Sequence, residues 1–348
     1  MSDTLTRRGF VTGLSALAPT LALGQAAKPV LGSPPTVVSQ PPRQWGEGAM
    51  PESYPDPDIL IIDPSFGQYL NRWAEIRRLG TGYQWAEGPA WSGEGQYIVF
   101  SDVDGDTQYR YLWDDGRITV YRKPSYNSNG NAFDFQGRQL SAQHYFRRVV
   151  RWELDGSMTV IADSFQGKSS GGLANPNGLY DPAVGNPGSG IIGSMKRELP
   201  NNTYRWDPSG RLEIIISAEQ DPRPNGLCFS PDYKTLYVMN SQIYAFDAQG
   251  RKLSNMHLFT DCMVDGVACH PDGMRTDRAG NLWVSSNAPL GYGGVTVWNP
   301  AGKLIGRVRL PEVCANLCFA GPKRDYLFMC AGQSVYMVRL NIQGAAPG

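Results

Sequence analysis

The chain has 348 residues, with 32 Lys and Arg against 32 Asp and Glu. That balance excludes a chain-wide electrostatic attraction to nucleic acid or to an anionic membrane. Its 40 Gly and 26 Pro are many for a helical protein and ordinary for a turn-rich β protein.

The N-terminus reads as an address rather than as fold. "TRRGFVTGLSALAPTLALGQAA" sets Arg7 and Arg8 before a modestly apolar stretch, Val11 to Leu23, and small residues follow at Gly24 and Ala26. The stretch is shorter than the roughly 20 residues a membrane span needs. Residues 1–26 are therefore expected to be an export signal of the twin-arginine type, with the mature chain periplasmic or secreted. Residues 27–58, with "KPVLGSPPTVVSQPPRQWGEG", read as a Pro-rich linker or arm outside the core.

From residue 59 onward the texture is turn, strand, turn, strand. Segments open at Glu87, Asn129, Asn177, Asn225, Asp272 and Asn316, which are 42, 48, 48, 47 and 44 residues apart. Gly follows five of these six residues. A further strand ends on an aromatic and a turn in "YRYLWDDGR", "VVRWELDGS", "TYRWDPSGR", "IYAFDAQGR" and "VTVWNPAGK". A unit of about 45 residues holding about four strands is the signature of a propeller blade. Residues 59–348 are thus expected to form an all-β, six-bladed β-propeller with four-stranded blades around a central channel. "AEIRRLGTG", ahead of the first unit, is expected to supply an outer strand to the last blade, leaving no open sheet edge.

Residues in one phase of each blade meet at one height of the channel. Glu87, Asn129, Asn177, Asn225, Asp272 and Asn316 are expected to converge there, two carboxylates among amides, with Gly letting the backbone turn tightly. Such an oxygen set suits a hard divalent cation, Ca²⁺ or Mg²⁺. Taken singly, an Asx-Gly pair is an ordinary turn. Glu87 is a poor turn residue, and its presence in the same phase favours a site.

The six Cys lie between Cys228 and Cys330. Cys262 and Cys269 could close a short loop in an oxidising compartment, while Cys228, Cys318 and Cys330 sit in apolar runs that suit buried thiols. There is no GxSxG nucleophile motif and no P-loop.

The stretches "WAEGPAW", "SNGNAFDFQGR", "PNGLCFSPDYKTLYV", "PDGMRTDRAGNLWV" and "PEVCANLCF" resemble the gluconolactonase/regucalcin family of six-bladed propellers, and most closely its exported bacterial branch. The resemblance runs from about Leu79 to Leu340. It implies one divalent cation, Ca²⁺ first with Mg²⁺, Mn²⁺ or Zn²⁺ as alternatives, held by Glu87, Asn225 and Asp272, with Asn177 near metal and substrate. It implies hydrolysis of a sugar lactone. Asp272 is the candidate general base, because a carboxylate beside the cation can take a proton from water. Asn177, Asn129 and His144 are candidates for substrate contact, and His144 could equally be an ordinary strand residue. The chain departs from the family where "NPNG" stands for "SPND", on the substrate wall of the third blade, and where "AQHY" stands for "CEHG", which keeps His144 and loses its acidic neighbour. Two alternatives stay open: an organophosphate or aryl-ester hydrolase on the same site, and a non-catalytic periplasmic ligand-binding propeller. A monomer or dimer is expected.

Overall fold

A computed structural model describes residues 43–45, 54–166, 168–169, 174–175, 179–180 and 199–345, except 201, 208 and 222. The expected signal at 1–26 and Asn177 lie outside the described residues. The described strands form five four-stranded sheets and one five-stranded sheet, with two short hairpins at Ser164–Ser169 and Met263–Ala268. Among the described residues no helix is long and apolar enough to cross a membrane.

Each sheet is an antiparallel meander. The first runs Ala86–Ser92, Tyr97–Asp102, Thr107–Leu112 and Ile118–Arg122; the second runs Ser128–Phe133, Gln139–Gln143, Arg148–Trp152 and Met158–Ala162. The fourth contains Leu227–Phe229, Thr235–Met239, Ile243–Gln249 and Lys252–Thr260. The fifth contains Met274–Thr276, Leu282–Ser286, Gly294–Trp298 and Leu304–Arg309. The first strand of each sheet is the inner one. Inner strands of the fourth, fifth, sixth, first and second sheets touch in that order, and the second touches the third. The chain is an all-β propeller.

Five sheets are described as complete blades. The third, expected to open near Asn177, has Thr203–Trp206 and Leu212–Ile216 as outer strands, and only Ala174–Asn175 and Leu179–Tyr180 inside them. The expectation of six four-stranded blades is therefore corrected: five complete blades are described, and the third sheet is described only in part. In sequence, the run at 181–190 is rich in Gly and Pro and lacks the alternation of the other units.

The repeated aromatic–turn signal marks the hairpin between third and fourth strands. Gly116 and Gly156 sit there at φ 72° and 86°, a region in which a Cβ is strained. Arg77–Thr81 pairs with Ser334–Arg339, Arg77 opposite Met337, so the segment before the first blade completes the sixth sheet with Asn316–Ala320 and Tyr326–Ala331. Pairing that edge removes an open row of backbone donors and acceptors.

The expected arm is corrected at its C-terminal end. Ile59–Ile61 adds a fifth strand to the fifth sheet, opposite Gly306–Val308. Asp56 and Asp58 just before it are buried. Arg43 donates to Asp56 at 2.6 and 2.7 Å and to Asp58 at 2.9 Å, and Arg309 lies 2.8 Å from the other Asp58 oxygen. Buried carboxylates persist when guanidinium groups pair with them, and composition alone does not show that pairing. Phe66, on the 3-10 turn Pro64–Tyr69, packs 5.7 Å from Trp283, which lies 5.7 Å from Phe319, knitting this segment to the fifth and sixth sheets.

Breaking the buried cluster should be severe. Asp58→Asn leaves two buried guanidinium groups short of a charge and should destabilise by about 3 kcal/mol or more, read as a lower urea midpoint at unchanged slope.

Candidate metal and active site

The expected site residues fall at one end of the inner strands. Glu87 is the second residue of its strand, Asn129 the second of its own, and Asn316 the first; Asn225 and Asp272 lie two residues before theirs. The glycines beside them explain the close approach. A Cβ on Gly226 would lie 2.3 Å from the Asp272 carbonyl oxygen, and one on Gly273 would lie 2.1 Å from Asn316 Oδ1. One on Gly88 would lie 1.9 Å from the Asn129 carbonyl oxygen. Each glycine thus admits a site residue of the next blade: Asp272 beside Asn225, Asn316 beside Asp272, and Asn129 beside Glu87.

Side-chain amides orient the two carboxylates. Asn225 Nδ2 donates to Asp272 Oδ1 at 2.9 Å, and Asn316 Nδ2 donates to Glu87 Oε2 at 2.9 Å. Asn316 Oδ1 in turn accepts from the Leu317 N–H at 2.9 Å. Asn316 therefore uses both ends of its amide to hold Glu87, an orienting role the phase argument did not separate from ligation. Gly88 N–H also donates to Glu87 Oε2. Behind Asp272, Ser285 Oγ accepts from Gly273 N–H at 2.8 Å and donates to the Ala315 carbonyl at 2.8 Å.

The electrostatics are unbalanced. Glu87 is 2 % exposed; burial raises its pKa above the ordinary carboxylate range, and the nearby Asp272 raises it further. Asp272 is partly exposed but closely surrounded by protein, and desolvation raises its pKa while the Asn225 donation opposes the rise. Arg275, three residues further along the Asp272 segment, lowers Glu87 only in part. Among the described residues neither carboxylate has a cationic side chain within ion-pair distance.

A hard cation fits this donor set. Glu87 and Asp272 supply two carboxylates, and Asn225 turns its Nδ2 to Asp272, leaving Oδ1 as the amide's ligating atom. No three His, Cys, Asp or Glu side chains converge among the described residues, so a cation held here would rely on two carboxylates plus amide oxygens. The six cysteines are buried thiols with no disulfide in the structure. Burial, and then Glu87 and Asp272, hold the Cys314 thiol well above its usual range.

The remaining expected residues divide. Asn129 reaches the corner by its backbone: its carbonyl accepts from Ser101 Oγ and from Asn131 Nδ2, each at 3.1 Å. His144 follows the second strand of the second sheet and is buried; its Nε2 has no hydrogen-bond partner, and desolvation lowers its pKa to about 4. It is a neutral imidazole at physiological pH. Residues that sequence reasoning did not single out also shape the corner. They are Asn131, Gln108, Ser101 and Ser285, polar residues at buried strand positions.

Inner-strand corners that set the buried Glu87 and the partly exposed Asp272 among amides give this propeller a cluster of oxygen donors at one end. The family model described as "SMP-30/Gluconolactonase/LRE-like region" matches residues 85–333, and the chain belongs to that family. A gluconolactonase of Zymomonas mobilis is 28% identical over 321 residues, covering 82% of this chain and 87% of the relative. A solved gluconolactonase structure from Xanthomonas campestris superimposes with a TM-score of 0.71 at 28% identity, over 81% of this chain and 94% of that one. The pentonolactonase XacC of Haloferax volcanii is 22% identical over 73% of this chain and 83% of its own length. The relatives so named are lactone hydrolases, and this chain is a hydrolase of their class.

The raised carboxylates make cation-free stability depend on pH. The folded chain holds these protons above the ordinary carboxylate range, whereas the unfolded chain releases them near about pH 4. The folded state then binds more protons, and stability falls as pH rises. For chelated protein the urea midpoint should fall between about pH 5 and about pH 8, and Glu87→Gln or added calcium should flatten that fall.

Proposed function

We propose that the chain is a divalent-cation-dependent hydrolase of sugar lactones. The observation that carries this reading is the pairing of Glu87 and Asp272, two carboxylates brought together, oriented by amides and left without a cationic side chain. Membership of the family and the names of its relatives support the lactone. Glu87, Asn225 and Asp272 would hold the cation, Ca²⁺ first, with Mg²⁺, Mn²⁺ or Zn²⁺ as alternatives, and Asn177 would complete the set. When bound, the cation supplies Lewis-acid polarisation of a carbonyl oxygen.

The chain's own residues do the rest. Asp272 is the more exposed of the two carboxylates and takes the proton of the attacking water. Glu87, closed off by Asn316 and its own Gly88 N–H, holds charge and moves no proton. Asn177, Asn129 and His144 contact substrate; the unpartnered Nε2 of a neutral His144 can accept from a sugar hydroxyl. The six sheets act as six blades, and the protein works as a monomer or dimer in the periplasm or outside the cell after twin-arginine export.

One observation favours a second reading, an aryl-ester or organophosphate hydrolase on the same site. Tyr145 and Phe146, directly after His144, are each 46% exposed, and Phe146 lies 5.1 Å from Tyr126. An open aromatic cluster beside the site would stack on an aryl group.

Assays of sugar-acid lactones, aryl esters and phosphotriesters on chelated and cation-restored protein separate the readings. Lactone turnover should vanish on chelation and return with calcium, and Glu87→Gln and Asp272→Asn should each lower kcat by roughly 100-fold or more. Full lactonase rate in chelated protein would refute the reading.

A further inference from the structure

The two inner strands that meet at Glu87 are both irregular just after their site residues. The pairing of Ala86–Ser92 with Tyr97–Asp102 shifts register between Glu87 and Ala90, and that of Ser128–Phe133 with Gln139–Gln143 shifts between Ser128 and Asn131. Such a bulge takes backbone groups out of the ladder and re-aims the side chain beside them. The carbonyls of Gly88 and Asn129 lie in these two interruptions. A buried carbonyl outside the ladder needs another donor.

One side chain supplies it to both. Asn131, 1% exposed, donates through Nδ2 to the Gly88 carbonyl at 2.9 Å and to the Asn129 carbonyl at 3.1 Å. The same nitrogen lies 3.0 Å from Ser101 Oγ, which itself donates to the Asn129 carbonyl. The orientation of the amide is fixed from its other end. Asn131 Oδ1 accepts from Gln108 Nε2 at 2.7 Å, from Ser141 Oγ at 2.7 Å and from Gln139 Nε2 at 2.9 Å. Arg122 Nη1 fixes both glutamines in turn, donating to Gln108 Oε1 at 3.0 Å and to Gln139 Oε1 at 2.5 Å. Three donors onto Oδ1 admit one amide orientation only, with Nδ2 toward the Glu87 corner.

From this geometry we infer that Asn131 is a positioning residue, fixing the backbone corner of Glu87 and thereby the affinity of the site for its cation without touching the ion. The inference rests on the proposed cation site. A network serving the blade interface alone would not need the Asn131 amide nitrogen to end on the two carbonyls flanking the corner. Ser141 provides the contrast: it touches Asn131 Oδ1 from the far side and makes no bond to the corner.

The test is calorimetric titration of calcium alone into chelated full-length protein, wild type against Asn131→Leu and Ser141→Ala, with the thermal midpoint of each recorded. Asn131→Leu should bind calcium about 10- to 100-fold more weakly, the range for residues that orient metal ligands. Ser141→Ala should lower the midpoint yet bind within about threefold of wild type, as a bond lost away from the ligands should. Should Asn131→Leu fail to fold, Asn131→Ser, which keeps one donor, takes its place and should bind several-fold more weakly. Wild-type affinity in the Asn131 variant, or an equal loss in Ser141→Ala, overturns the inference while leaving the cation site standing. No calcium binding by wild type overturns both.

Discussion

The constraint on which the site depends is the contact distance between consecutive inner strands. Gly88, Gly226 and Gly273 each abut the site residue of the next blade so closely that a Cβ would overlap it. Packed interiors do not absorb an added methyl group without displacing a neighbour. The glycines therefore do more than permit a turn. At Gly226 they set the spacing that brings Asn225 within hydrogen-bond reach of Asp272, 47 residues on in sequence; Asn316 reaches Glu87, 229 residues away in sequence, at a junction with no such glycine.

That closeness has an electrostatic consequence, and the chain provides its own comparison. Asp56 and Asp58 are as buried as Glu87, but guanidinium groups of Arg43 and Arg309 meet them directly. Glu87 and Asp272 face amides instead, and burial together with the nearby Asp272 raises the proton affinity of Glu87. A fold able to place arginines on buried carboxylates near Asp58 leaves those at the corner without one. Amide donors orient a carboxylate and leave its charge in place, so the missing positive charge is what a divalent cation would bring. Arg275 answers only part of it.

Much of this was legible in the sequence because repetition carries it. The spacing of Glu87, Asn129, Asn225, Asp272 and Asn316, the aromatic–turn endings and the closing role of Arg77–Thr81 all follow from one repeated unit. What repetition does not carry was not legible. Asp56 and Asp58 look like part of a Pro-rich arm, because their partners Arg43 and Arg309 are remote in sequence and unrelated to the repeat. Asn131 reads as one more polar residue on an alternating strand, and its importance comes from two bulges whose freed carbonyls a pattern does not reveal. Asn316 was picked by phase, but only its hydrogen bonds distinguish orienting from ligating. The third unit departs from the repeat in sequence through the Gly and Pro of 181–190, and Asn177 lies outside the described residues.

Closure of the propeller and placement of Glu87 are one structural event. Arg77–Thr81 completes the sixth sheet, and the chain continues from it through Gly82 and Tyr83, both donating to the Gln333 carbonyl, and Ala86, donating to that of Gly332. The next residue is Glu87, which receives its amide from Asn316 in that same sheet. The sixth sheet thus supplies the partner for the closing strand, the anchor for the turn and the donor for the carboxylate. A cation shared by Glu87 and Asp272 would span the closing junction between first and sixth sheets and the fifth sheet beyond it. Whatever binds only the closed arrangement stabilises it by mass action. A cation bound to both carboxylates would displace the protons that burial holds on them and add an attraction across the seam where the ring is completed.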